Sequence, residues 1–130
     1  MKRSALFDVV AVYRAPLAVP VTVLSPRGAE VFTTRNVSLG GLAVLGLADP
    51  LQLLGSVSVE FTLPGNHEAI TGHARVIWSD ANGAAGLRFT ALDSIGDLRL
   101  RQWILARHAE DESERDTAVS AQTHNSATGT

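Results

Sequence analysis

The sequence predicts a mostly β domain of six short antiparallel strands, forming a barrel or a sandwich, followed by one helix. Three observations support this prediction. Residues 56–63 alternate between apolar and polar side chains, which is typical of a half-buried strand. Asn82-Gly83 is a strong hairpin pattern between two further β-type runs. After Leu92 the apolar residues recur with helical spacing instead.

The predicted strands follow one another at short intervals and are separated by turn residues. They are residues 21–24, 30–34, 42–45, 56–63, 69–78 and 86–89. Pro16 and Pro20 bracket a stretch that cannot be the interior of a central strand. Trp78, at the end of the fifth strand, and Trp103, in the helix, are interpreted as core residues.

The helix is predicted to begin at Asp93 or Ser94, since either residue can cap it, and its broad apolar side is expected to cover the β structure. Residues 13–108 form the predicted domain. Residues 109–130 contain almost no large apolar residue and cannot offset the entropy of ordering, so they are predicted to be a disordered acidic tail. Residues 1–12 are apolar, and two roles stay open for them: covering the barrel or mediating a homodimer.

The charge distribution argues against duplex nucleic acid as a partner. The chain has 130 residues, enough for one domain, and a net charge of −2. Residues 1–108 carry ten basic and eight acidic side chains, and this surplus is too small for a duplex-binding surface. There is no cysteine, which excludes disulfides, thiolate metal sites and cysteine nucleophiles.

The chain is predicted to have no membrane span, because no uncharged apolar run approaches about 18 residues. Lys2 and Arg3, followed by apolar residues, resemble the start of a secretory signal. Asp8 and Arg14 interrupt what would be the apolar core of that signal, so we expect a cytoplasmic protein.

Catalysis is not predicted, and neither are catalytic residues, a metal site or a bound cofactor. The four histidines are scattered without ligand spacing: His67, His73, His108 and His124. The sequence also lacks a nucleophile elbow, a phosphate loop and a paired-carboxylate motif.

The most informative stretch is residues 35–43, which contain an Asn36-x-Ser38-x-x-Gly41 pattern. On an extended chain Asn36 and Ser38 point to the same face. Two short polar side chains beside glycines can read the edge of a flat polar ligand. The alternative is an ordinary turn between strands, in which these residue types are also common.

Together with two later segments, this pattern resembles the PilZ domain family. The matching segments are Asn36-x-Ser38-x-x-Gly41, then the strand from Gly55 to Pro64 with a following strand that ends in Val76-Ile77-Trp78, then Gly86-Leu87-Arg88-Phe89 before the helix. The resemblance covers about residues 13–107. It implies a six-stranded antiparallel β-barrel with a C-terminal α-helix. The mostly β domain is therefore expected to be a PilZ-type barrel.

The resemblance also implies a site for the bacterial second messenger cyclic di-GMP. In the family the Asp/Asn and Ser of the motif meet a guanine, while two arginines of an Arg-x-x-x-Arg segment hold phosphates and stack on guanine. Carried onto this sequence, the site residues are Arg14, Asn36, Ser38 and Gly41. Ala18 stands where the second arginine is expected, so half of the phosphate clamp is missing.

With alanine in place of the second arginine, the chain is predicted to be a stand-alone regulatory protein in cyclic di-GMP signalling. It is expected to act as a protein-interaction adaptor, with weak or lost nucleotide binding, on a partner in a motility, polarity or biofilm pathway. The alternative is a functional cyclic di-GMP receptor that uses Arg14 and the Asn36 motif. Arg35, Lys2 and Arg3 are further cations, but no sequence pattern puts them in the site.

Overall fold

The computed structural model describes residues 13–47 and 55–128, with side chains described as far as residue 114. Its elements are β1 (Ala15–Pro16), β2 (Pro20–Ser25), β3 (Gly28–Val37), β4 (Gly41–Leu45), β5 (Ser56–Phe61), β6 (Ile70–Ser79), β7 (Ala84–Leu92) and α1 (Ser94–Thr128). The strands pair in the order β3-β2-β5-β6-β7-β4, and β4 pairs back to β3. The predicted six-stranded antiparallel barrel with a C-terminal helix is therefore confirmed. β1 is an additional short strand outside the barrel, paired with β3.

The barrel interior is filled by the apolar face of each strand. In β5 the inward residues Val57, Val59 and Phe61 are each 2% exposed, as the alternating pattern predicts. The ring of Phe61 stacks parallel to that of Phe89 across the interior, with 6.1 Å between ring centroids. Pro20 is the first residue of β2, where a missing N–H costs little in a strand ladder.

Asp93 fixes the start of α1 and ties it to the barrel. Its Oδ1 accepts a hydrogen bond from the backbone N–H of Gly96 at 2.6 Å, which makes it the N-cap. Its Oδ2 accepts one from the backbone N–H of Thr71, at the beginning of β6, at 2.9 Å. Further along the helix, Leu100 and Ile104 are completely buried against the barrel.

The helix continues beyond the point at which the sequence predicts a disordered tail. α1 runs to Thr128, past the expected boundary at Ala109. Glutamate, alanine and arginine are good helix formers, and Arg107 pairs with Glu110 one turn later at 3.2 Å. Local propensity therefore sustains the helix where the apolar spacing has ended. None of the helices in the described ranges is long and apolar enough to cross a membrane. The two roles left open for residues 1–12 lie outside the described residues.

Candidate functional site

The Asn36-x-Ser38-x-x-Gly41 motif lies where β3 ends and β4 begins. The pairing of these two strands shifts register between Thr34 and Asn36, so Arg35 has no paired residue in β4. Such a bulge bends the strand and changes the direction of the side chains around it. The motif is therefore more than a turn, since its first residue belongs to a paired strand.

Arg14 joins two residues of the motif. Its Nε donates a hydrogen bond to Asn36 Oδ1 at 2.8 Å, and its Nη1 donates a longer one to Ser38 Oγ at 3.5 Å. The approach follows from β1, in which Ala15 pairs with Val37 and so brings the preceding arginine beside the end of β3. The structure thus brings together three residues that the sequence analysis grouped, and their role in ligand binding stays a prediction.

Ser38 and Gly41 also hold the backbone of the site. Ser38 Oγ accepts a hydrogen bond from the N–H of Gly40 at 3.2 Å, and the Ser38 N–H donates to the Gly41 carbonyl at 2.9 Å. A Cβ atom at Gly41 would collide with the carbonyl oxygen of Leu87 on β7. Close approach of β4 and β7 therefore requires glycine at this position whatever the ligand.

These residues form one side of an open groove of about 490 Å³. Its lining is made by the motif, by β4 and by the facing parts of β6 and β7, and it includes Arg14, Arg35, Asn36, Ser38, Gly40, Gly41, Ile77, Trp78 and Arg88. Three of these side chains are guanidinium groups, and none of the described residues that line the groove is a carboxylate. The groove can therefore attract an anionic ligand with a flat apolar part.

Arg88 adds to the positive charge of the groove from β7. It pairs with Gly41 on one side and with Arg75 on the other. Two like charges directly opposite each other on neighbouring strands disfavour folding. Because directly paired residues lie on the same face of a sheet, Arg75 and Arg88 place two positive charges on the outer face of β6 and β7.

Trp78 was interpreted as a core residue, and this interpretation is wrong. The side chain is 42% exposed and lines the groove. Trp78 pairs with Gly86, and its ring lies over that glycine, where a Cβ atom would collide with the ring. The glycine opposite the tryptophan is the sequence feature that could have indicated this position. An exposed indole face beside arginines suits a purine ring.

Ala18 lies in the short segment between β1 and β2. It is exposed and stands between two residues that are bonded to β3: Leu17 donates its N–H to the Arg35 carbonyl, and Val19 donates to Thr34 Oγ1. Ala18 is not among the residues that line the groove. The groove therefore has one arginine from the segment before β2.

A second groove, of about 560 Å³, lies on the outer face of β2, β5 and β6. Ser58 Oγ lies 3.3 Å from His73 Nδ1 there, as expected of directly paired residues. Asp93 lines the same groove but accepts hydrogen bonds from Thr71 and Gly96. These backbone N–H groups lower the pKa of the Asp93 carboxyl below its ordinary value. The Asp93 carboxylate is thus used as a helix cap, and its hydrogen-bond partners are Thr71 and Gly96, not His73.

The described residues thus form a small β-barrel with a cationic groove beside Arg14, the residue that precedes the outer strand β1. The PilZ domain model matches residues 11–106, so the chain belongs to the PilZ domain family. No curated protein sequence matches the chain.

Solved structures with the same fold come from several bacteria. The inhibitor of motility MotI/DgrA of Bacillus subtilis has a TM-score of 0.64 and 19% identity, over 85% of this chain and 53% of that one. The chain thus spans about half of MotI/DgrA. The PilZ domain of YcgR from Escherichia coli, solved with c-di-GMP, has a TM-score of 0.57 and 19% identity. The match covers 80% of this chain and 95% of the YcgR domain. The PilZ domain of CeSA from a cellulose-synthesizing bacterium has a TM-score of 0.54 and 24% identity. The match covers 72% of this chain and 96% of the CeSA domain. At these identities the likeness is one of fold.

Proposed function

We propose that this chain is a regulatory module of cyclic di-GMP signalling that acts on a protein partner and binds the nucleotide weakly. The observation that carries the proposal is the contact of Arg14 with Asn36 and Ser38 at the edge of a groove whose described lining contains no carboxylate. The YcgR PilZ domain, solved with c-di-GMP, and the motility inhibitor MotI/DgrA support the pathway. We propose no catalytic step, since the site contains binding groups alone.

Each residue type suits one part of a cyclic dinucleotide. The guanidinium of Arg14 offers a rigid fork to a phosphate and a flat face to a purine. The amide of Asn36 and the hydroxyl of Ser38 match the donors and acceptors along a guanine edge. Gly41 contributes by keeping β4 close to β7, so that the motif faces the groove.

The missing second arginine is the reason for weak binding. A hydrogen bond to a charged group contributes about 1.5–3 kcal/mol, so its loss weakens binding by about 10- to 150-fold. With alanine at position 18, the segment before β2 retains a single phosphate-binding arginine. Regulation then depends more on the protein partner, which we place in a motility, polarity or biofilm pathway.

The alternative is a full receptor, and the lining of the groove favours it. Arg35, Arg88 and the exposed ring of Trp78 offer two further cations and a stacking surface. A receptor of this kind would bind cyclic di-GMP in the low micromolar range without any substitution.

Calorimetric titration of cyclic di-GMP into the parent protein and an Ala18→Arg variant tests the proposal. We expect weak, saturable binding by the parent and binding tightened by about 10-fold or more in the variant. Ala29→Arg is the matched control, because it adds the same charge at an exposed position outside this groove. Low-micromolar binding by the parent would favour the receptor. Equal effects of the two substitutions would contradict the assigned position of the missing arginine.

A further inference from the structure

We infer that Arg35 is the second phosphate-binding arginine of the groove, in place of the one that is missing at Ala18. The inference rests on the proposed function and assigns a role to a residue outside the family motif. It identifies the ligand as a doubly charged cyclic dinucleotide whose phosphates are held from β3 as well as from the segment before β2.

The position of Arg35 is the first reason for this role. It occupies the bulge of β3 and lines the same groove as Arg14 and Asn36. Its carbonyl accepts a hydrogen bond from the Leu17 N–H at 3.1 Å, so Arg35 lies beside the residue that precedes Ala18. The missing cation and its substitute are therefore neighbours in space, although 17 positions separate them in the sequence.

The ion pairs of the arginines are the second reason for this role. On α1 three arginines have carboxylate partners: Arg99 with Glu68, Arg101 with Asp97 and Arg107 with Glu110, at 2.9–3.2 Å. Among the described residues, neither Arg35 nor Arg88 makes an ion pair of this kind. Within the part of the chain that the structure describes, the helix arginines are thus neutralised, whereas no acid partners Arg35 or Arg88.

Such a set of unneutralised cations has an electrostatic consequence. Guanidinium groups that share a groove repel one another, and the directly opposed pair of Arg75 and Arg88 increases that repulsion. An anionic ligand removes the repulsion when it binds, so its affinity gains from every cation within contact distance. A fork at Arg35 can meet a phosphate from β3, but it replaces the fork at position 18 only in part, so nucleotide binding stays weak.

The experiment is a titration of cyclic di-GMP into four variants of the whole chain. Arg35→Ala is compared with Arg27→Ala, which removes the same charge from an exposed turn about 25 Å away along β3. Arg14→Ala reports on the proposed site itself. The double variant Arg35→Ala/Ala18→Arg tests replacement. Thermal unfolding of each variant checks that folding is unchanged, since the Arg35 contact with Leu17 is made by the backbone.

We expect Arg35→Ala to weaken binding by about 10- to 150-fold and Arg27→Ala to leave it within about 3-fold. Ala18→Arg should recover most of the loss in the double variant. A loss in Arg14→Ala, with Arg35→Ala no different from Arg27→Ala, would overturn the role of Arg35 and leave the proposed site intact. A double variant as weak as Arg35→Ala would also overturn it. The absence of saturable binding by the parent would overturn both proposals.

Discussion

Replacing Gly41 with alanine is expected to destabilise the barrel, whereas the same change at Gly40 is expected to be tolerated. A Cβ atom at Gly41 would collide with the carbonyl oxygen of Leu87 and crowd the backbone of Arg88. These are backbone atoms of a paired strand, so they cannot move without separating β4 from β7. At Gly40 the nearest heavy atom to an added Cβ is Ser38 Oγ at 3.9 Å, an ordinary van der Waals distance.

The size of the effect follows from the packing. Inserting a methyl group into a filled space costs about 1–3 kcal/mol, and here the pairing of β4 with β7 is disturbed as well. A loss of about 2 kcal/mol lowers the melting temperature of a domain of about 100 residues by about 8–16 °C. At Gly40 alanine reduces the entropy of the unfolded chain, which raises stability by about 0.4–1 kcal/mol where the backbone permits it.

Urea and thermal unfolding, followed by circular dichroism, measure the difference between the two variants. If Gly41→Ala unfolded at the same denaturant concentration as the parent, the close approach of β4 and β7 would be incorrect. A large loss at Gly40 would show that the loop, and not the strand contact, restricts the motif glycines.

Two further predictions concern the helix cap and the groove. Since the folded-state pKa of Asp93 is lowered, its contribution to stability is present above the unfolded pKa of about 3.9 and is lost as the pH falls through the lower folded value. Asp93→Asn should therefore lose less stability than the parent between pH 6 and pH 3, as measured by urea unfolding; equal losses would exclude this role. Trp78→Ala should weaken cyclic di-GMP binding by about 5- to 150-fold, because a base–aromatic stack contributes about 1–3 kcal/mol. Ile77→Ala is the control from the same groove, and an equal loss in both variants would argue against stacking.

The features that were predicted from the sequence depend on local patterns. Strict alternation in β5 places Val57 and Val59 in the interior because the side chains of a strand point to opposite faces in turn. The cap at Asp93 follows from its position before a helical apolar pattern. The grouping of Arg14 with Asn36 came from the family resemblance, since their sequence separation gives no reason for contact.

Two of the features that were missed depend on strand register, which local patterns in one sequence do not reveal. The apolar run that ends at Trp78 has the composition of a buried strand, but the pairing of β6 with β7 shifts register between Val76 and Trp78, and Gly86 leaves room for the ring outside. Arg35 lines the groove because of the bulge in β3, and no residue type in this stretch predicts a bulge at that position. The continuation of α1 past Ala109 reflects helix propensity without apolar packing.

The contact of Arg14 with Asn36 and Ser38 has a thermodynamic consequence. Arg14 already donates hydrogen bonds to Asn36 Oδ1 and Ser38 Oγ. A guanine that engages Asn36 and Ser38 must exchange partners with the arginine, so the number of hydrogen bonds changes little during association. The heat released by this exchange would then be small, and the proposed complex would gain most of its strength from charge neutralisation and from water expelled around Ile77 and Trp78. Affinity at such a site would fall with added salt, because salt screens the attraction between the arginines and the phosphates.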